Sequence, residues 1–391
     1  MQRRDFFKAA ALVPATVGGV GFASAATLGK QIKITGLETE LRERLQPSGR
    51  VTYDAIHKFD GTGGGVVVRL LTDAGITGWG SSSFGMIGGA PRVLQTILEQ
   101  EVKPVIVGKD PAFPKKIRAD LWAALEYAGV QGVTQFAIAA IDIAVWDIIG
   151  KAAGQPVYKL IGGFRDRMPV YSMCGWYFDE KDNDLSIYKH VLDEAMQQGY
   201  QAVKIKVGRF SLDDDIKRIK IAQDTVGKDK RVLVDANQVF NRKEALRRGR
   251  VYQQMGCFWF EEPLPPYDVE GCAELAKELD IRIASGENLY TRFAFANWIE
   301  HRASDVVQPD NRRAGGLTEW MEIAAIADGF GIEVASHGGG ATNLNMLLAM
   351  PNAIYMETSG PQANMVNGEV PGPQEPGMST ETRRGYPGRE F

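Results

Sequence analysis

Cysteine is scarce in this sequence: three residues, Cys174, Cys257 and Cys272, in a chain of 391. So few and so scattered, they exclude a disulfide framework or a thiolate metal site. Histidine is scarce too, with four residues, so a site built from several imidazoles is excluded and any metal must rest on carboxylates. An excess of one charge is also lacking. A net charge of −3 leaves no basic surplus of the kind that marks a nucleic-acid-binding face. Past the N-terminus, no apolar run is expected to reach the ~20 residues that span a bilayer. What is present is an ordinary globular composition, 44% hydrophobic and 24% charged. The length implies two or three structural units.

The first residues carry a signal of their own. Arg3-Arg4-Asp5-Phe6-Phe7-Lys8 precedes a weakly apolar stretch from Ala9 to Phe22, broken by Pro14, Gly18 and Gly19, and then Ala23-Ser24-Ala25. Paired arginines, a mild apolar region and small residues at a cleavage point predict a twin-arginine export signal over 1–25. The expected location is therefore the periplasm, with no membrane association after cleavage. The segment is left out of the fold.

Two textures follow. Over 30–156, a strand-like run, Ile32-Lys33-Ile34, leads into a polar stretch from Arg42 to Gly65. A strand at Gly65–Leu70 turns at Asp73-Ala74-Gly75 into Thr77-Gly78-Trp79-Gly80, and helical periodicity then dominates from Pro91 to Ala153. This predicts an α+β domain. Over 157–357, short apolar runs alternate with amphipathic helices. The strands are placed at Val170–Met173, Ala202–Val207, Val232–Asp235, Phe258–Phe260, Arg282–Ala284, Val306–Gln308, Glu333–Ala335 and Ile354–Met356. Eight strands with seven helical connections predict an α/β barrel. An open doubly wound sheet is the alternative, but no Gly-rich phosphate loop follows the first strand. The Gly- and Pro-rich tail, 358–391, cannot extend the barrel and is expected to pack on the N-terminal domain.

Ionisable residues fall at the C-terminal end of nearly every barrel strand, the end that forms the mouth in this architecture. Alternation points Lys204 and Lys206 inward and Val203, Ile205 and Val207 outward. Two close ammonium groups depress one another, which is how a lysine becomes a base near neutral pH. Asp235, Glu261 and Glu287 end three successive strands, an oxygen-only set suited to a hard cation. Glu262 should face away from Glu261 and pair with a lysine. Asp310 and His337 end neighbouring strands, where the aspartate can fix the imidazole tautomer. Gly338-Gly339-Gly340 leaves backbone near any ligand. His57, His190 and His301 read as ordinary histidines, except that His57 lies in a polar N-terminal loop.

Lys204-Ile205-Lys206, Asp235-Ala236-Asn237-Gln238, Glu261-Glu262-Pro263, Gly286-Glu287-Asn288, Asp310 with Gly315-Gly316, Ser336-His337 and Glu357 together resemble the mandelate racemase subgroup of the enolase superfamily. The resemblance, within the mandelate racemase / muconate lactonizing enzyme family, runs in order from about Ile32 to the C-terminal region. It implies a modified TIM barrel, (β/α)7β, with an N-terminal α+β capping domain, and Mg²⁺ on Asp235, Glu261 and Glu287. It also implies Lys206 as a general base tuned by Lys204, His337 oriented by Asp310 on the opposite face, and Glu357 hydrogen-bonded to an enediolate. A homo-oligomer is implied as well.

The expected chemistry is removal of the proton alpha to a carboxylate of a small hydroxy acid. Dehydration of an acid sugar is favoured, because the N-terminal loop residues Arg50, Tyr53, Asp54, His57 and Lys58 suit hydroxyls and carboxylates. Racemisation or epimerisation is the alternative, kept open by the aromatic pair Trp176 and Tyr177. Tyr53, His57, Trp176 and Asn237 are the candidates for substrate contact. A non-catalytic exported binding protein would show a broken constellation, whereas every position here is filled. A cycloisomerase is disfavoured, since such relatives more often carry a lysine where His337 stands.

Overall fold

The computed structural model describes residues 31–47, 50–85, 89–181 and 185–379. The proposed export signal lies outside them. Strands β1 (Ile34–Arg44), β2 (Thr52–Tyr53), β3 (Lys58–Phe59), β4 (Gly63–Thr72) and β5 (Thr77–Gly85) belong to the N-terminal domain. β1, β4 and β5 form an antiparallel sheet in that order, and β2–β3 form a separate hairpin. β1 is far longer than its apolar start suggested. Glu38, Glu40 and Arg42 alternate outward in it, and Glu38 pairs with Arg69 of β4 at 2.8 Å. A charged edge strand of this kind resists pairing with other chains, and its alternation hides among the charges.

β5 lies against the helix Val133–Ala153 at backbone distance. A Cβ on Gly80 would come within 2.0 Å of the Ala140 carbonyl oxygen, and one on Gly78 within 2.2 Å of that of Ala144. Only glycine facing alanine permits this approach. The helix itself corrects the membrane expectation. It is long and apolar enough to cross a bilayer, with a mean hydropathy of 1.6, yet 83% of that stretch is buried inside the protein. An all-round apolar helix here is a core helix of the cap.

The barrel strands are β6 (Arg167–Gly175), β7 (Ala202–Lys206), β8 (Arg231–Asp235), β9 (Trp259–Glu261), β10 (Arg282–Ser285), β11 (Val306–Val307), β12 (Glu333–Ala335) and β13 (Ala353–Thr358). They pair in sequence, and β13 closes the ring on β6. Each expected strand lies within a few residues of an observed one. Inward side chains from every strand, among them Tyr171, Ala202, Leu233, Trp259, Ala284, Val306, Ala335 and Tyr355, fill the lower interior as a separate apolar cluster. Outward residues such as Val203, Ile205 and Val234 pack against the helices in the larger cluster. The floor is dry and the polar residues sit above it.

The tail runs first along the barrel and then to the cap, and its residues 380–391 lie outside the described ones. β14 (Glu369–Pro371) pairs antiparallel with Arg167–Pro169, the part of β6 that starts before its neighbours, and so covers that open edge. The chain reaches the cap only beyond it, where the Met378 N–H donates to Asp147 at 2.8 Å.

Two buried aspartates of the long helix join the domains. Asp147 accepts from the N–H of Trp79 at 2.9 Å and from Met378. Asp142 accepts from the N–H of Thr318 at 2.9 Å and from its hydroxyl. Burial pushes the Asp142 carboxyl up to about 6, with the Thr318 bonds opposing the rise. A folded-state pKa raised above 3.8 favours the folded state below the unfolded value, and that stability is lost as pH rises through about 6. The shift corresponds to about 3 kcal/mol. In Asp142→Asn the amide keeps partners at Thr318 without the charge. Scanning calorimetry should therefore show the mutant gaining on the parent between pH 4 and 7.5, while parallel melting curves would contradict this assignment.

Candidate active site

Strand alternation delivers the polar residues to one place. On β7, Ala202, Lys204 and Lys206 share the inward face, the first in the dry floor and the other two above it. Asp235 and Glu261 end β8 and β9, and Glu287 follows β10. Oxygens of these three carboxylates lie within 4.8 Å of one another. Backbone conformation at this rim is unusual: Asn237, Gln238 and Glu262 have φ of +44°, +68° and +40°, and Gly286 +140°. Left-handed non-glycine residues are sparse and cluster at functional sites.

The ammonium groups are deeply paired. Lys204 Nζ lies 2.6 Å from Glu261 Oε1, 2.6 Å from Glu357 Oε2 and 3.5 Å from Asp235 Oδ2. Lys206 Nζ lies 2.6 Å from Asp235 Oδ2 and 4.9 Å from the centre of the Trp176 ring. These contacts correct the expectation of mutual depression. Burial lowers both lysines, and Lys204 lowers Lys206 a little further, but the adjacent carboxylates outweigh both effects and hold the two above the usual lysine range. The number of acids at the strand ends decides the sign.

Glu261 is pushed up to about 8, first by burial and then by Asp235, with Lys204 opposing. Glu262 does not pair with a lysine. It is buried, and its carboxylate accepts from Gln238 Nε2 at 3.2 Å and Asn288 Nδ2 at 2.9 Å. Burial, Glu287 and Asp235 raise it well above the carboxylate range.

Across the mouth, His337 Nδ1 meets Asp310 Oδ2 at 2.7 Å, and its Nε2 faces Glu287 Oε2 at 3.4 Å. Burial opposes protonation of the imidazole, but Glu287 and Asp310 together raise it. Asp310 also caps the short helix Asn311–Ala314 and is gripped by the Arg312 guanidinium. Arg312, Arg313 and His337 outweigh the effect of burial and hold Asp310 well below the carboxylate range. Asn343 Nδ2 donates to the carbonyls of His337, Gly338 and Gly339 and so pins the glycine loop. Glu357 accepts from Tyr171 Oη at 2.9 Å and from the Gly338 N–H at 3.2 Å. Burial would raise it, but Lys204 and His337 keep it ionised.

The remaining candidates divide between the strand ends, Asn237 and Trp176, and the β2–β3 hairpin, Tyr53 and His57. Asn237 donates its N–H to Asp235 Oδ1 at 3.0 Å, and its own Oδ1 is buried with no hydrogen bond among the described residues. Tyr53 exchanges backbone hydrogen bonds with Tyr177 at 2.8 and 3.0 Å. Trp176 packs edge-on against Phe59 of the cap hairpin at 4.8 Å. His57 Nδ1 lies 2.9 Å from the buried Asp54 carboxylate. Sequence reasoning missed Tyr171 and Gln308, whose Nε2 donates to Glu261 at 2.9 Å. Both stand on or next to barrel strands, and strand phase could have found Tyr171.

The donor set fits a hard divalent cation. It offers three carboxylates that repel one another, and among the described residues the buried Asn237 Oδ1 and Gln308 Oε1, also at strand ends, have no hydrogen-bond partner.

Comparison with known proteins agrees with this geometry. Residues 58–162 match the mandelate racemase / muconate lactonizing enzyme N-terminal domain, and 188–386 match the enolase C-terminal domain-like family. The chain belongs to the mandelate racemase / muconate lactonizing enzyme family of the enolase superfamily. It is 33% identical to arabinonate dehydratase of Saccharolobus solfataricus over 75% of this chain and 78% of that one. It is 30% identical to D-galactarolactone cycloisomerase of Agrobacterium fabrum over 90% and 97%. The structure of L-talarate dehydratase from Polaromonas sp. JS666, complexed with Mg and L-glucarate, superposes with a TM-score of 0.81. That match is 28% identical and covers 89% of this chain and 94% of that one.

A cation and a proton compete for Glu261. With its carboxyl near 8, magnesium affinity should rise about tenfold between pH 6 and pH 7, with proton release on binding. Calorimetric titration in buffers of different ionisation enthalpy measures both. An affinity that stays flat over this range would contradict the assignment.

Proposed function

We propose that the protein catalyses magnesium-dependent removal of the proton alpha to the carboxylate of an acid sugar, an aldonate or aldarate, and dehydrates it to the 2-keto-3-deoxy acid. The observation that carries this reading is the placement of Lys206 and the Asp310-bound His337 around one mouth, with the carboxylate triad of β8, β9 and the β10 end between them. The related arabinonate and L-talarate dehydratases support the acid-sugar class.

An alpha proton is very weakly acidic and its loss leaves a dianionic enediolate, so preorganised charge must face it. Magnesium on Asp235, Glu261 and Glu287 would supply positive charge for that oxygen pair and lower Lys206 by sharing Asp235. Lys206 Nζ then accepts the proton, while Trp176 covers it from water. Lys204, tied to Glu261 and Glu357, holds fixed positive charge towards the substrate carboxylate. His337, with Nδ1 committed to Asp310, uses Nε2 to protonate the departing β-hydroxyl. Tyr53, His57, Asn237 and Trp176 hold the remaining hydroxyls.

The same opposition of Lys206 and His337 supports a second reading, in which the proton returns from the far face and the acid is racemised or epimerised. The paired Arg3-Arg4 and Ala23-Ser24-Ala25 support export to the periplasm by the twin-arginine route.

The test incubates the magnesium-loaded protein with a panel of aldonates, aldarates and aryl 2-hydroxy acids and follows products by proton NMR. A 2-keto-3-deoxy acid is expected, formed about 10²- to 10⁴-fold more slowly by Lys206→Ala and by His337→Asn. Inversion at C2 without keto acid would replace dehydration by racemisation. Turnover that persists unchanged in both variants would overturn the assignment of the bases.

A further inference from the structure

Arg218 belongs to the helix Leu212–Val226, behind the barrel wall and outside the mouth, yet it is among the most deeply buried large side chains, with 1% exposure. Its guanidinium lies between two tyrosine rings, 4.1 Å from the centre of Tyr177 and 4.0 Å from that of Tyr188. From there it donates to three backbone carbonyls: Gly175 at 3.0 Å, Trp176 at 2.9 Å and Lys206 at 3.3 Å. The planar fork of arginine reaches several acceptors at once in a way a lysine cannot.

These carbonyls lie where the barrel ladder fails. The pairing of β6 with β7 shifts register between Met173 and Gly175, and a Cβ on Gly175 would come within 2.4 Å of Ile205. Past that irregularity, the Gly175 and Trp176 carbonyls need a donor from elsewhere, since an unmet buried carbonyl costs about 1–3 kcal/mol. The segment so held presents Trp176 over the Lys206 ammonium and offers Tyr177 to Tyr53 of the cap hairpin through two reciprocal backbone bonds. Phe59 of the same hairpin meets Trp176 edge-on.

We propose that Arg218 is a positioning residue: it locks the chain after β6 so that Trp176 covers Lys206 and Tyr177 docks the cap hairpin. One buried guanidinium thus ties the strand carrying Lys206, the aromatic wall beside it and the cap loop above it into a single geometry. The catalytic consequence rests on Lys206 being the base. The structural consequence does not.

The test uses Arg218→Met and, as a milder change, Tyr188→Leu, which removes one face of the ring sandwich and leaves the arginine. Hydrogen exchange followed by mass spectrometry needs no substrate. Amides of 50–60 and 174–178 should exchange about tenfold faster in both variants, while the β8–β12 core keeps its protection. With a turned-over substrate, kcat should fall about 10- to 100-fold, with a smaller rise in KM as Tyr53, His57 and Trp176 loosen. Added methylguanidinium should restore part of that kcat in Arg218→Ala, and sodium chloride at equal ionic strength should not. If Arg218→Met does not fold, Tyr188→Leu decides by the same exchange pattern. Unchanged exchange at the hairpin, or protection lost evenly through the barrel in Tyr188→Leu, would overturn the proposal. A wild-type protein that turns over nothing would count against the proposed reaction and leave the exchange result to judge Arg218.

Discussion

Lys204 lies 2.6 Å from both Glu261 and Glu357, and Lys206 the same distance from Asp235, in a place water hardly reaches. Each buried ion carries a desolvation penalty of several kcal/mol, and removing one partner of such a pair leaves the other stranded. The carboxylates cannot collect at the strand ends without the lysines, nor the lysines stay charged without the carboxylates. Much else follows from this array. The apolar floor of Tyr171, Trp259 and Tyr355 keeps it dry from below. Left-handed turns at Asn237, Gln238 and Glu262 aim the rim inward. The amides of Gln238 and Asn288 donate to the Glu262 carboxylate and that of Gln308 to Glu261.

The array also limits what the lysines do unaided. With Asp235 against it, Lys206 stays protonated at neutral pH, and a base must be free of its proton. Burial and the neighbouring acids act in the opposite sense, raising Glu261 and Glu262 and leaving them in want of positive charge. One divalent cation would answer both needs, and the lysines and acids are best regarded as one titrating unit rather than separate sites. His337 meets this unit at Glu287, which its Nε2 faces at 3.4 Å. Its Nδ1 is committed to Asp310, itself saturated by Arg312 and Arg313, so only Nε2 is left to face the mouth.

Much of this was legible in the residues because a barrel strand imposes a period of two and collects its ends at one face. Alternation alone separated Lys204 and Lys206 from Val203 and Ile205, and the spacing of acids named the strand ends where Asp235, Glu261 and Glu287 stand. What could not be read depends on distances between strands. Whether two lysines depress each other or are raised depends on which carboxylates sit opposite, and Glu262 met amides because its left-handed turn redirects it. β1 was under-read because a charged edge strand resembles a loop. The helix Val133–Ala153 was under-read in another sense, since its apolar length shows only that it is buried, not in what. Arg218 gave no signal at all. An arginine in an amphipathic helix reads as surface, and only the fold reveals that it points inward at three carbonyls.

We infer that Lys206 takes the alpha proton and that His337 serves the leaving hydroxyl from the other side. Proton NMR in D₂O with His337→Asn and an acid sugar that the parent dehydrates tests it most directly. Deuterium should enter the alpha position while the keto acid does not form, and Lys206→Ala should show neither. Alpha exchange that survives in Lys206→Ala and vanishes in His337→Asn would contradict it by reversing the two roles.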